Sequence, residues 1–173
     1  VVGETATKLF ADGQALLKKI IEGRWLTANG VVSLLPANSV NDDDIEIYTD
    51  ETRKEIAFTY YGMRQQTEKP VIDGVPRPNQ CLSDFVAPKD SGVVDYIGMF
   101  AVTAGLSIEK HLKRFEVAHD DFNSIMLKSL ADRLAEAFAE YLHERVRTDL
   151  WGYASQEKLS NEALIKEEYQ GIR

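Results

Sequence analysis

The amino-acid sequence predicts an α+β domain. Three observations carry that prediction: an apolar repeat of helical period at the start, a middle section of short β-branched and aromatic runs broken by turn formers, and long helical patterns in the last third. The order helix, strands, helices is that of the α+β class.

From Glu4 to about Gly23, the residues Leu9, Phe10, Leu16, Leu17, Ile20 and Ile21 recur at helical spacing, with Gly23 as the stop signal. Residues 30–33, 45–48 and 56–61 read as three strands separated by Pro36, Asn38 and the Asn41 to Asp44 cluster. Their short links predict an antiparallel meander. Residues 68–80 hold Pro70, Gly74, Pro76 and Pro78 and read as a surface loop. Residues 82–86 and 96–102 read as two further strands, the second deeply buried. Ser107 is placed to N-cap a helix through Glu116, and Asp120 or Asp121 to cap a long helix running to about Trp151. The apolar stripe of that long helix is Ile125, Leu127, Leu130, Leu134, Phe138, Leu142 and Val146. A last helix is expected from Ser160 to Gln170, closed by Gly171.

With 173 residues, 44% of them hydrophobic, the chain is expected to form a single domain spanning 1–173. No apolar run approaches the roughly 18 residues that span a bilayer, and the start lacks the pattern of a signal peptide. Twenty-eight acidic residues against 20 Lys and Arg give a net charge of −8, which disfavours a nucleic-acid partner. Cys81 is the only cysteine, so an intrachain disulfide is excluded and a cytoplasmic location is expected. Val1 in place of Met, and a chain that stops at Arg173 just after a helical pattern, are read as cuts through a longer polypeptide.

Chemistry-bearing patterns are sparse. Asp132, Glu136, Glu140 and Glu144 stand four apart and line one face of the long helix; they read as a solvated acidic face or as a surface that receives a cation or basic partner. Asn41 to Asp44 lacks the alternating ligands, the Gly and the distal Glu of a calcium-binding hand, so it reads as a turn. His111, His119 and His143 are too scattered for a metal pattern and read as surface or capping residues. No nucleophile elbow, P-loop or dinucleotide fingerprint is present.

Four stretches go further: GVVSLLPANSVNDDDIEIY from Gly30, YYGMRQQTEKP from Tyr60, CLSDFVAPKDSGVVDYIGMFAVTAG from Cys81, and the segment from His119 to Arg173, which ends in LSNEALIKEEYQGIR. In order, and over nearly the whole chain, they closely resemble the C-terminal activation domain of cobalamin-dependent methionine synthases. The resemblance implies a C-shaped or helmet-shaped α+β domain with a long twisted antiparallel sheet flanked by helices. It implies a part of a methyltransferase that moves a methyl group from methyltetrahydrofolate to homocysteine through cobalamin, an isolated chain without catalysis of its own, and a role in methionine biosynthesis. The domain would present S-adenosylmethionine for reductive remethylation of inactive cob(II)alamin, with flavodoxin or an equivalent reductase giving the electron. Cobalamin would be held by another domain of the same polypeptide, the other partner of this one, and zinc only by the absent homocysteine domain.

The resemblance also assigns residues. Arg173 matches the arginine of the family's Arg-x-x-x-Gly-Tyr motif and would pair with the ligand carboxylate. Glu136 would face the ligand amino group or sulfonium, with Glu167 and Tyr169 as neighbours of the site, and Asp132 would contact the cobalamin domain. A ligand-contacting aspartate upstream of Val1 and the Gly-Tyr pair after Arg173 are not in the sequence. This chain alone is therefore expected to bind S-adenosylmethionine weakly or not at all. The alternative is an acidic docking module for a flavodoxin-like redox partner or the cobalamin domain, without a retained ligand.

Overall fold

The computed structural model describes residues 3–69, 71, 72 and 74–171. They divide into two compact units, one formed by the residues up to Val31 with those from Ala101 onward, the other by Val32–Phe100.

The first unit opens with helix α1 (Glu4–Gly23), whose Leu16 and Ile20 are buried, as the helical repeat predicts. Arg24 takes the left-handed conformation at the helix end (φ 47°), and Gly23 is required for another reason: a Cβ there would lie 2.2 Å from the indole nitrogen of Trp25. Leu16 and Ile20 pack with Phe115 of α2 (Ile108–Val117) and Leu127 of α3 (Asp121–Arg145). Burial of each such side chain stabilises by roughly 1.5–3 kcal/mol. His111 is half-buried: its ring stacks on Trp25 at 4.3 Å, and burial, with the Lys110 and Arg114 charges, pulls its pKa down. Asp120 caps α3, its side chain accepting from Asn123 N–H at 3.0 Å. Ser107 does not cap α2; it sits at φ 75° with no hydrogen bond from its hydroxyl to the helix. After Arg145 the backbone continues as a π-helical turn (Val146–Leu150) capped at Trp151, so the helical run ends about where the spacing predicts, with its last turn widened. The last helix, α4, is confined to Asn161–Ile165 rather than reaching Gln170.

The expected meander is realised. The sheet order is β3-β2-β1-β6, with β1 (Thr27–Val40), β2 (Asp44–Tyr48), β3 (Ile56–Tyr60) and β6 (Asp95–Leu106); β2 and β3 lie wholly in the second unit, while β1 and β6 each have residues in both. Asn41 and Asp42, both at positive φ, turn β1 into β2 in the register Val40 opposite Asp44. β1 runs straight through Pro36 and Asn38, against expectation. The antiparallel register with β2 begins at Ala37, so the missing Pro36 N–H costs no β1–β2 bond. Buried Asn38 is fully used: Nδ2 donates to the Ala87 and Val93 carbonyls, and Oδ1 accepts from Arg53 at 2.7 Å. Ala37, Ile45, Ile47, Val86 and Ile97 form the core. Of the six other residues expected to be buried with Ile97, none is; Phe100 is 40% exposed.

Residues 82–85 form a 3-10 turn, not a strand. Asp84 explains it: its carboxylate accepts from the Cys81 N–H and from both terminal nitrogens of Arg64, which also reaches Asp43. Gly62 passes so close that a Cβ would stand 2.1 Å from the Asp43 carbonyl. Within the proline-rich loop, β4 (Val71–Ile72) and β5 (Val75–Pro76) make a minimal antiparallel ladder.

Candidate functional site

Helix α3 carries two opposed faces. At 100° per residue, Leu134 and Phe138 fall on the side opposite Glu136, whereas Asp132, Glu140 and His143 fall within about 40° of Glu136. The apolar side lines a cleft of about 690 Å3 within the first unit, together with Ile20, Leu26 and Ala104. Gly30 lies against this side; a Cβ there would sit 3.0 Å from Phe138.

The acidic side is open. Asp132 and Glu136 remain 70% and 62% exposed, bridged by Arg133, which donates to Asp132 Oδ2 at 3.0 Å and to Glu136 Oε1 at 2.8 Å. The hydrogen bond that Arg133 donates to Asp132 and the charge of Glu136 raise the Arg133 pKa further. Pairs this exposed contribute about 0–1 kcal/mol to stability. The arrangement is a surface triad with one net negative charge, whose carboxylates stay accessible to a second cation. Asp132 also lines a shallow depression with Gly105, Leu106 and Ile108. Glu140, one turn on, is engaged with a neighbour.

At the end of this face the side chains turn inward. Arg147 is 1% exposed and pairs with Glu157: Nε to Oε1 at 3.0 Å, Nη2 to Oε1 at 2.6 Å. Its Nη1 donates to His143 Nδ1 at 2.7 Å, which requires a neutral imidazole accepting at Nδ1. Burial opposes the Arg147 charge, but the Glu157 hydrogen bonds and charge outweigh it and the pKa is raised. The Tyr169 ring closes the cluster, 4.4 Å from the guanidinium and edge-on to His143 at 5.1 Å. His143 is thus a buried partner of Arg147, not a surface or capping residue.

The expected site residues fall into four groups. Asp132 and Glu136 are brought together on α3. Tyr169 is held against His143 and Arg147 on the same side of α3, roughly 10 Å further along the axis by the 1.5 Å rise over seven residues. Glu167 (φ 56°) occupies the left-handed position after α4: its N–H and that of Glu168 bond to the Leu164 and Ala163 carbonyls, closing a Schellman turn. Arg173 lies outside the described residues. Arg147 and Glu157 gave no signal in the sequence, because an Arg four residues after a His and a Glu ten residues later form no recognisable pattern.

No group of three or more His, Cys, Asp or Glu among the described residues could hold a metal ion. No helix among them is long and apolar enough to cross a membrane.

Across residues 1–173 the chain matches the family described as vitamin B12 dependent methionine synthase, activation domain. The chain belongs to that family. A solved structure described as the crystal structure of the MetH reactivation domain bound to AdoHcy is 58% identical, with a TM-score of 0.86 over 100% of this chain. The present chain spans 51% of that one, about half its length. The α+β fold with its four-stranded antiparallel sheet is that of the activation-domain family, as the resemblance implied.

Proposed function

We propose that this chain forms part of a single activation domain that binds S-adenosylmethionine and presents it for reductive remethylation of cob(II)alamin in methionine synthase. The observation that carries the reading is the family match over every residue, joined to a 58% identical relative described with AdoHcy, the molecule S-adenosylmethionine becomes on giving up its methyl group. S-Adenosylmethionine supplies an electrophilic methyl on a sulfonium, and the electron comes from flavodoxin or an equivalent reductase.

The residues fit such a ligand. Glu136 holds Arg133 through Oε1 yet stays 62% exposed, so its carboxylate can accept from the ligand ammonium or offset the sulfonium charge. Arg173 pairs with the ligand carboxylate in a two-pronged geometry. Tyr169 and Glu167 border the site, and Asp132, one turn before Glu136, meets the cobalamin domain of the same polypeptide. Cobalamin belongs to that domain, and the activity operates in the cytoplasm as one arm of methionine biosynthesis.

The test is the recovery of methylated cobalamin in the full-length enzyme after oxidation to cob(II)alamin, followed by absorbance with reductant and varied S-adenosylmethionine. Glu136→Gln is expected to raise the concentration needed for half-maximal recovery by roughly tenfold, about 1.4 kcal/mol. An unchanged concentration dependence removes Glu136 from the site. Failure of the wild-type enzyme to bind the ligand transfers the acidic face to the docking reading.

A further inference from the structure

We infer that the outer face of α2, which carries Lys110, Lys113 and Arg114, is the surface on which an acidic electron-donor protein docks. The inference rests on the proposed reading, because reductive remethylation is what calls for an external electron.

The helix sorts its residues by chemistry. Phe115 is buried with Leu16, Ile20 and Leu127, and Ile108 and Leu112 pack against that cluster. At 100° per residue, Lys110, Lys113, Arg114 and Val117 fall within an arc of about 100° on the opposite side. All four are exposed, Val117 to 76%. The acidic residues of α2, Glu109 and Glu116, lie about 40–60° beyond Lys113 on one flank. Three cations thus share the outermost stripe with no carboxylate of the helix among them. In a chain of net charge −8 that is a local reversal of sign.

The cations are held and available. The Arg114 guanidinium stands 5.4 Å from the Trp25 ring and 5.8 Å from that of Phe115. Neither Lys110 nor Lys113 makes a hydrogen bond or salt bridge among the described residues. Two of the charges converge on one group: after burial, it is Lys110 and Arg114 that pull the His111 pKa down. The imidazole is therefore neutral near pH 7, and the stripe draws its charge from Lys and Arg alone.

A face of this kind suits a transient redox encounter. Such complexes bury little area, under about 1,200 Å2. They are guided by complementary charge, which speeds association and makes it sensitive to salt. The acidic side of α3, with Asp132 and Glu136 exposed, would repel the same partner. Ligand and donor are thereby assigned to different helices of the first unit.

The experiment follows recovery of methylated cobalamin in the full-length enzyme at saturating S-adenosylmethionine, with either reduced flavodoxin, an acidic protein, or titanium(III) citrate as donor. It compares wild type with Lys110→Glu/Lys113→Glu and Lys110→Gln/Lys113→Gln, each confirmed folded by circular dichroism. The charge reversal is expected to raise the flavodoxin concentration for half-maximal rate at least about tenfold, and the neutral pair to raise it less. Added salt is expected to slow wild type with flavodoxin far more than the charge-reversed enzyme. With titanium(III) citrate all three are expected to recover at the same rate. Equal flavodoxin dependence in the three proteins, or a wild type that recovers with titanium(III) citrate alone, would overturn the inference. So would an equal loss with both donors, which would give the face to another module of the same polypeptide. Wild-type enzyme that fails to recover with titanium(III) citrate shows that the underlying reading has failed, and the inference falls with it.

Discussion

The guanidinium of Arg147 lies 4.4 Å from the centre of the Tyr169 ring while Glu157 and His143 occupy its edge. A buried cation so placed depends on its counter-charge. Replacing Glu157 by Gln leaves Arg147 buried without compensation and is expected to cost about 3–5 kcal/mol in urea denaturation. Replacing both by apolar residues, Arg147→Met with Glu157→Leu, is expected to cost less than the single change. Equal losses in the two proteins would mean that packing, not charge, dominates this cluster.

Asp84 gives a pH dependence of definite sign. Hydrogen bonds from Arg64 and from the Cys81 N–H hold its pKa at about 2, below the ordinary aspartate value of 3.8. Because the folded value is the lower one, the unfolded chain binds the proton first as pH falls. The tether therefore contributes fully above pH 3.8 and loses its contribution as the pH falls towards 2. Urea midpoints measured between pH 5 and 2.5 are expected to fall more steeply for wild type than for Asp84→Asn. Parallel curves would show that the tether has no proton linkage.

Gly62 is expected to tolerate no side chain. A Cβ would meet the Asp43 carbonyl at 2.1 Å and the Cys81 sulfur at 2.7 Å, and both belong to the segments that the Arg64 network holds. Gly62→Ala should destabilise by about 1–3 kcal/mol, the usual cost of forcing an extra methyl into a packed site. Thermal denaturation of the variant at neutral pH measures it, and an unchanged midpoint would show that a Cβ at position 62 fits beside the Asp43 carbonyl.

Where local signals and tertiary demands agree, the sequence was legible. The helix α1 repeat and the Asp120 cap appear as expected, because spacing and capping chemistry act within a few residues. Asn38 and Pro36 were misread as a break in β1, since what keeps them in the strand is remote: Arg53 and the Ala87 and Val93 carbonyls for one, the start of the β2 register for the other. The apolar run at 82–86 was misread for the same reason, as Arg64 captures Asp84 from twenty residues away. Of the site, the carboxylates of α3 were visible through helical spacing and gained roles only through family resemblance. The Arg147 cluster was invisible, because a buried ion pair ten residues apart leaves no periodic trace.

The central claim is that this chain carries S-adenosylmethionine-binding residues, with Glu136 and Arg173 at opposite ends of the ligand's amino-acid moiety. The most direct measurement is calorimetric titration of S-adenosylmethionine into the full-length enzyme beside its Glu136→Gln and Arg173→Ala variants. The account predicts saturable binding to wild type, weakened by at least roughly tenfold, about 1.4 kcal/mol, in each variant. Binding of wild-type strength in both variants would contradict it.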